Sequence, residues 1–129
     1  MLPPLLLIDD DRDSLEIRRL IFERAGYDVR TASTPADARD AFLRHPQAAV
    51  LLDLRLPGIE DGLALIREFR THAPGPRIVV LTGCVSDLHN RPEEAMIDAA
   101  LEKPLRTEQL LRAVAGAMEG VLSCRAHGA

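Results

Sequence analysis

Five polar side chains stand at or just beyond the ends of short apolar runs: Asp9 and Asp10 after Leu5–Ile8, Asp53 after Val50–Leu52, Thr82 after Ile78–Leu81, and Lys103 after Ala99–Glu102. The stretch Val50-Leu51-Leu52-Asp53-Leu54-Arg55-Leu56-Pro57 is the most informative. It reads as a buried strand that delivers one carboxylate to its C-terminal end. A buried, ionised carboxylate is costly unless something pairs with it. The other four residues are the natural partners. Three clustered carboxylates repel one another and suit a hard divalent cation such as Mg²⁺, which takes few protein ligands and keeps its waters. Lys103 adds a fixed positive charge and Thr82 a hydroxyl donor. Cation, ammonium and hydroxyl around one carboxylate would stabilise phosphoryl oxygens in transfer. Aspartate can accept that group as an acyl phosphate. The chemistry these residues fit is phosphoryl transfer onto Asp53.

The elements that must position them follow in alternation. Leu5–Ile8 reads as a central strand, apolar throughout. A helix follows, capped by Asp13 or Ser14, with Leu15, Ile17, Leu20, Ile21 and Ala25 inward, Glu16 and Glu23 outward, and Gly26 as its stop. Tyr27–Thr31 reads as a more exposed strand. Thr34-Pro35 starts a second helix, with Ala38, Ala41 and Phe42 inward and an end near His45-Pro46. Ala48–Leu52 is the third strand. A third helix carries Leu63, Ile66 and Phe69 to about His72, and Pro74-Gly75-Pro76 is a turn. Ile78–Leu81 is the fourth strand and residues 83–90 are irregular. Asn90-Arg91-Pro92-Glu93 reads as a capping-box start for a short fourth helix. Ala99–Glu102 is the fifth strand, and Thr107 caps a last helix with Leu110, Leu111, Val114 and Met118 inward. The main domain spans 1–119, and 120–129 reads as a frayed tail.

Such alternation predicts an α/β fold with a parallel sheet covered on both faces. Ligands gather outside the carboxyl ends of the strands in such sheets, where all five polar residues fall.

The bulk properties exclude several function classes. At 129 residues the chain is one domain, 47% hydrophobic and 28% charged, as ordinary globular proteins are. A net charge of −4 does not advertise a nucleic-acid surface, and 3% aromatics without tryptophan leave no stacking platform for single strands. Arg18, Arg19 and Arg30 read as a solvated face. No segment spans a bilayer, and the start lacks the basic residues of a signal peptide. Cys84 and Cys124 read as reduced thiols of a cytoplasmic protein. The four histidines carry no assigned role.

The chain resembles the receiver domain of two-component response regulators, the CheY-like family, over about residues 4–118. The motifs match in order: Asp9-Asp10, Asp53 with Leu56-Pro57, Thr82-Gly83, and Lys103-Pro104. The resemblance implies a flavodoxin-like (βα)5 doubly wound sheet of order 2-1-3-4-5 and a cis Lys103-Pro104 bond. It implies that Asp53 is the phosphoacceptor and that Asp10, Asp53 and the Arg55 main-chain carbonyl ligate Mg²⁺, with Asp9 acting through a bound water. Thr82 would turn inward to the phosphoryl group and Lys103 would pair with its oxygens. A sensor histidine kinase or phosphotransfer protein would be the donor.

The chain departs from the family pattern in four places. The aromatic switch position three residues before the lysine holds Ala100, so the usual coupled motion with the threonine cannot operate. The loop from Pro57 to Gly62 is one residue longer than usual, Pro92 interrupts the fourth helix, and Leu105 replaces a common phenylalanine. Arg55 and Cys84, each two residues past a site residue, read either as tuners of water access to the acyl phosphate or as plain loop residues.

The leading expectation is a phosphorylation-operated switch rather than an enzyme, its face of fourth helix, fifth strand and fifth helix shifting between two states. No DNA-binding module follows the last helix, so the output would be a partner protein, a homodimer or a further domain. The alternatives are a receiver-like binding module that is never phosphorylated, and an aspartate-nucleophile phosphohydrolase. The adjacent Asp9-Asp10 pair and the acid on the third strand argue against the hydrolase.

Overall fold

A computed structural model describes residues 2–72 and 75–127, with side chains placed through Met118. Five strands pair in parallel in the order β2-β1-β3-β4-β5. They are β1 (Pro4–Ile8), β2 (Asp28–Ala32), β3 (Ala49–Asp53), β4 (Arg77–Thr82) and β5 (Ala99–Glu102). Four α-helices accompany them: α1 (Arg12–Arg24), α2 (Pro35–Arg44), α3 (Ile59–Arg70) and α4 (Thr107–His127). The last helix thus continues past Gly120, where the sequence suggests a tail. The turn expected at Pro74-Gly75-Pro76 begins at a residue outside those described.

Strand residues alternate between two cores, as pleating requires. Leu6, Ile8, Val50, Leu52, Ile78 and Val80 pack with Ala38, Leu63, Ile66 and Phe69 of α2 and α3. Leu5, Leu7, Leu51, Val79 and Leu81 pack with Leu15, Phe22, Leu110 and Val114 of α1 and α4. Both faces of the sheet are covered, so the interiors of strands β1, β3 and β4 are apolar, with polar residues only at the ends of β3 and β4.

Helix α1 differs from its sequence reading at its cap and on its face. Asp11, not Asp13 or Ser14, is the N-cap, accepting the backbone N–H groups of Asp13 and Ser14. Its carboxyl is held below the ordinary range, first by the Ser14 hydroxyl and then by the Ser14 N–H. Leu15 and Phe22 are the buried residues, whereas Ile17 is 59% and Leu20 46% exposed. The apolar stripe is displaced because Phe22 fixes which side of the helix meets the sheet. Gly26 ends the helix at φ +99°, in the left-handed region that glycine enters without a Cβ clash.

The short fourth helix does not form; two 3-10 turns, Val85–Leu88 and Pro92–Met96, take its place. Asn90 sits at φ 61°, and the cap residue Arg91, a donor-only side chain, makes no side-chain cap hydrogen bond. The expected capping box fails because Glu93 is otherwise engaged. It is buried, its Oε2 2.5 Å from Arg67 Nη1 of α3. One turn along α3, the Arg70 guanidinium donates to the Met96 carbonyl through Nε (2.8 Å) and Nη2, and lies 3.5 Å from Asp98. Two arginines therefore hold residues 93–98 onto α3.

Candidate functional site

Parallel pairing brings the C-terminal ends of β1, β3 and β4 side by side, with Ile8 opposite Leu52 and Asp53 opposite Leu81. The residues beyond those ends line one cleft of about 390 Å³: Asp9, Asp10, Asp53, Arg55, Gly83 and Lys103 among them.

Asp53 closes β3 and is 7% exposed. Its Oδ2 lies 2.5 Å from Lys103 Nζ, and its Oδ1 accepts the Arg55 N–H at 3.1 Å. Lys103 reaches it from just beyond β5, where its own N–H is donated to the Thr82 carbonyl at 2.8 Å. The Lys103-Pro104 bond is cis, as is Leu56-Pro57. Asp9 is 2% exposed and Asp10 exposed. Thr82, also buried, closes β4. Its hydroxyl donates to the Cys84 carbonyl and accepts the Cys84 N–H, both at 3.1 Å. The site residues predicted from sequence thus meet at one sheet edge. Arg55 and Cys84 lie on the exposed rim; the Arg55 guanidinium is 3.9 Å from Asp87 and Cys84 Sγ is 2.7 Å from Ser86 Oγ.

Helix α3 is pressed against this edge. A Cβ at Gly62 would lie 2.0 Å from the Leu54 carbonyl oxygen, so only glycine permits the approach. The loop before it is tied by Gly58, whose N–H donates to Asp61 Oδ2 at 3.2 Å.

One site residue escapes the sequence reading. Arg18, taken there for part of a solvated face, reaches inward and its Nη1 lies 2.5 Å from Asp9 Oδ2. The signal was its spacing: Leu15, Arg18 and Phe22 share one helix face. An arginine on a buried face needs a carboxylate within reach.

Among the described residues no three acidic, histidine or cysteine side chains are arranged as a metal cage. By the chemistry of their donors, hard carboxylates opening on a water-accessible cleft suit an ion that keeps most of its waters, as Mg²⁺ does.

Comparison with known proteins decides the family. A sequence profile described as the response regulator receiver domain matches residues 5–115.

The chain belongs to that family.

The receiver domain is 34% identical over 117 residues to the alginate biosynthesis transcriptional regulatory protein AlgB of Pseudomonas putida, covering 89% of this chain and 26% of AlgB. Its fold matches a receiver domain protein from Clostridium thermocellum with TM-score 0.81 at 25% identity, over 92% of this chain and 95% of that one. TrrA from Thermotoga maritima, solved in complex with Mg²⁺–BeF, matches with TM-score 0.79 at 24% identity, over 90% of this chain and 99% of TrrA. The receiver domain spans about a quarter of the length of the first curated relatives it matches. Among the described residues no helix is long and apolar enough to cross a membrane.

Proposed function

We propose that this receiver domain is a phosphorylation-operated switch in a cytoplasmic two-component pathway. Asp53 accepts a phosphoryl group from a phosphohistidine of a sensor histidine kinase or phosphotransfer protein. A carboxylate oxygen of Asp53 forms the new bond to phosphorus as the histidine N–P bond breaks. The observation that carries this reading is the Lys103 ammonium on Asp53 Oδ2, beside Asp9 and Asp10 in one cleft. Asp10, Asp53 and the Arg55 main-chain carbonyl would hold Mg²⁺, with Asp9 acting through a bound water. The bound ion supplies charge neutralisation for the phosphoryl oxygens, and the Mg²⁺–BeF complex of TrrA agrees with that choice of ion.

The remaining work falls to the protein's own groups. Lys103 places its ammonium where phosphoryl oxygens arrive. Thr82 exchanges its hydrogen bond to the Cys84 carbonyl for one to the phosphoryl group. Because residues 93–98 are held to α3 and Ala100 offers no aromatic ring, the switching face is carried by β5 and α4. The output passes to a partner protein, a second copy or a further domain, as a change of state and not as catalytic turnover.

The test is intact mass after incubation with acetyl phosphate, with and without Mg²⁺, for wild type and Asp53→Asn. One phosphate adduct in wild type alone, lost when Mg²⁺ is omitted, is the expected result. No adduct, even from a phosphorylated kinase, would leave a receiver-shaped binding module, the reading that Ala100 and the clamped 93–98 segment favour.

A further inference from the structure

Both oxygens of Asp9 are occupied by the protein. Oδ1 accepts the Asp11 N–H at 2.9 Å, and Oδ2 lies 2.5 Å from Arg18 Nη1. The Arg18 side chain is itself only 16% exposed, so this ion pair is shielded from bulk water. Asp53 is dressed in the same way, by the Arg55 N–H and by Lys103. Two of the four carboxylates that line the cleft, Asp9 and Asp53, are therefore each paired with an internal cation. Asp10 and Asp11 are exposed, Asp11 serving as the cap of α1.

We propose that Arg18 is a positioning residue that sets the affinity of this site for divalent cations. Arg18 holds Asp9 in a pair, so the charge of Asp9 reaches an incoming ion already half spent. The inference rests on the Mg²⁺ reading above and extends it to a residue outside the ligand set. Without Arg18, the cleft gains one unit of negative charge and Asp9 regains an unclaimed oxygen. The ion then binds more tightly, and the buried Asp9 is stabilised by metal instead of by arginine.

The experiment is calorimetric titration of Mg²⁺ into wild type, Arg18→Lys, Arg18→Gln and Asp10→Asn, with the thermal midpoint of each measured with and without the ion. Gln keeps a donor and removes the charge; Lys keeps the charge and loses the planar fork. Arg18→Gln is expected to bind Mg²⁺ about fivefold more tightly than wild type, and Arg18→Lys, which keeps the charge, about as wild type does. The metal-free Arg18→Gln protein melts lower than wild type, and saturating Mg²⁺ narrows that gap. A merely structural role would weaken metal binding as stability falls. Equal or weaker binding in Arg18→Gln, with wild type binding Mg²⁺ and Asp10→Asn not, overturns the inference and leaves the metal reading standing. No binding in any variant overturns both. Should Arg18→Gln not fold, Arg18→Met carries the test, and affinity equal to wild type sinks it.

Discussion

Arg67 Nη1 of α3 lies 2.5 Å from the carboxylate of Glu93, which is 95% buried in the segment where the family carries its fourth helix. That guanidinium, first among the causes, holds the Glu93 carboxyl below its ordinary value of 4.5. A carboxyl lowered on folding adds stability above its unfolded value, and loses it as pH falls through the folded one. Arg67→Met is expected to cost about 1–2 kcal/mol at pH 7, since half of Arg67 is in water. Urea unfolding of both proteins from pH 7 down to pH 3 checks this: the difference between them should shrink once Glu93 is protonated. A constant gap would mean that Arg67 acts through packing alone.

Lys103 pairs with Asp53 across 2.5 Å. Under the proposed chemistry, Lys103→Met slows acetyl phosphate labelling about a hundredfold, the usual loss for one aligned transition-state donor. An intact-mass time course measures it. An unchanged rate would remove Lys103 from that role.

Gly62 and Gly116 predict opposite responses to alanine. At Gly62 the new Cβ would overlap the Leu54 carbonyl oxygen at 2.0 Å, and about 3 kcal/mol of stability is expected to go. At Gly116, within α4, nothing lies within 4 Å, so alanine is expected to add about 0.5–1 kcal/mol. Denaturant midpoints of the two variants, moving apart in sign, would confirm the close approach of α3.

The face of α1 can be tested in the same way. Phe22→Ala is expected to cost about 3–5 kcal/mol, while Ile17→Ala, at a position 59% exposed, stays within about 0.5 kcal/mol. Comparable losses would restore the face that periodicity alone suggests.

That misread face shows where sequence reasoning reached its limit. Strands β1, β3, β4 and β5 were legible because apolar runs ended in turn signals, and the site because each run ended in a polar residue. Parallel pairing then forced those ends together. On α1, Ile17, Leu20 and Phe22 are all apolar, and a 3.6-residue period cannot choose among overlapping stripes. Only the sheet chooses, and it takes Leu15 and Phe22. The choice also turns Arg18 inward to Asp9, so one error hid the other. The fourth helix failed for a different reason. Asn90 and Glu93 matched a local capping pattern, but a partner 26 residues away, Arg67, competes for the Glu93 carboxylate. Local patterns cannot report such a competitor.

The two-arginine clamp also bears on how the molecule opens. Residues 93–98 look like loop, yet none of them can leave without breaking the Arg67 pair or the Arg70 bonds to Met96. They and α3 are expected to open as one cooperative unit, although more than twenty residues separate them in the chain. In native-state hydrogen exchange, amides on both sides of the clamp would share one opening free energy, set by the helix and not by the loop. A connector between two strands is thereby built as an outlying turn of α3.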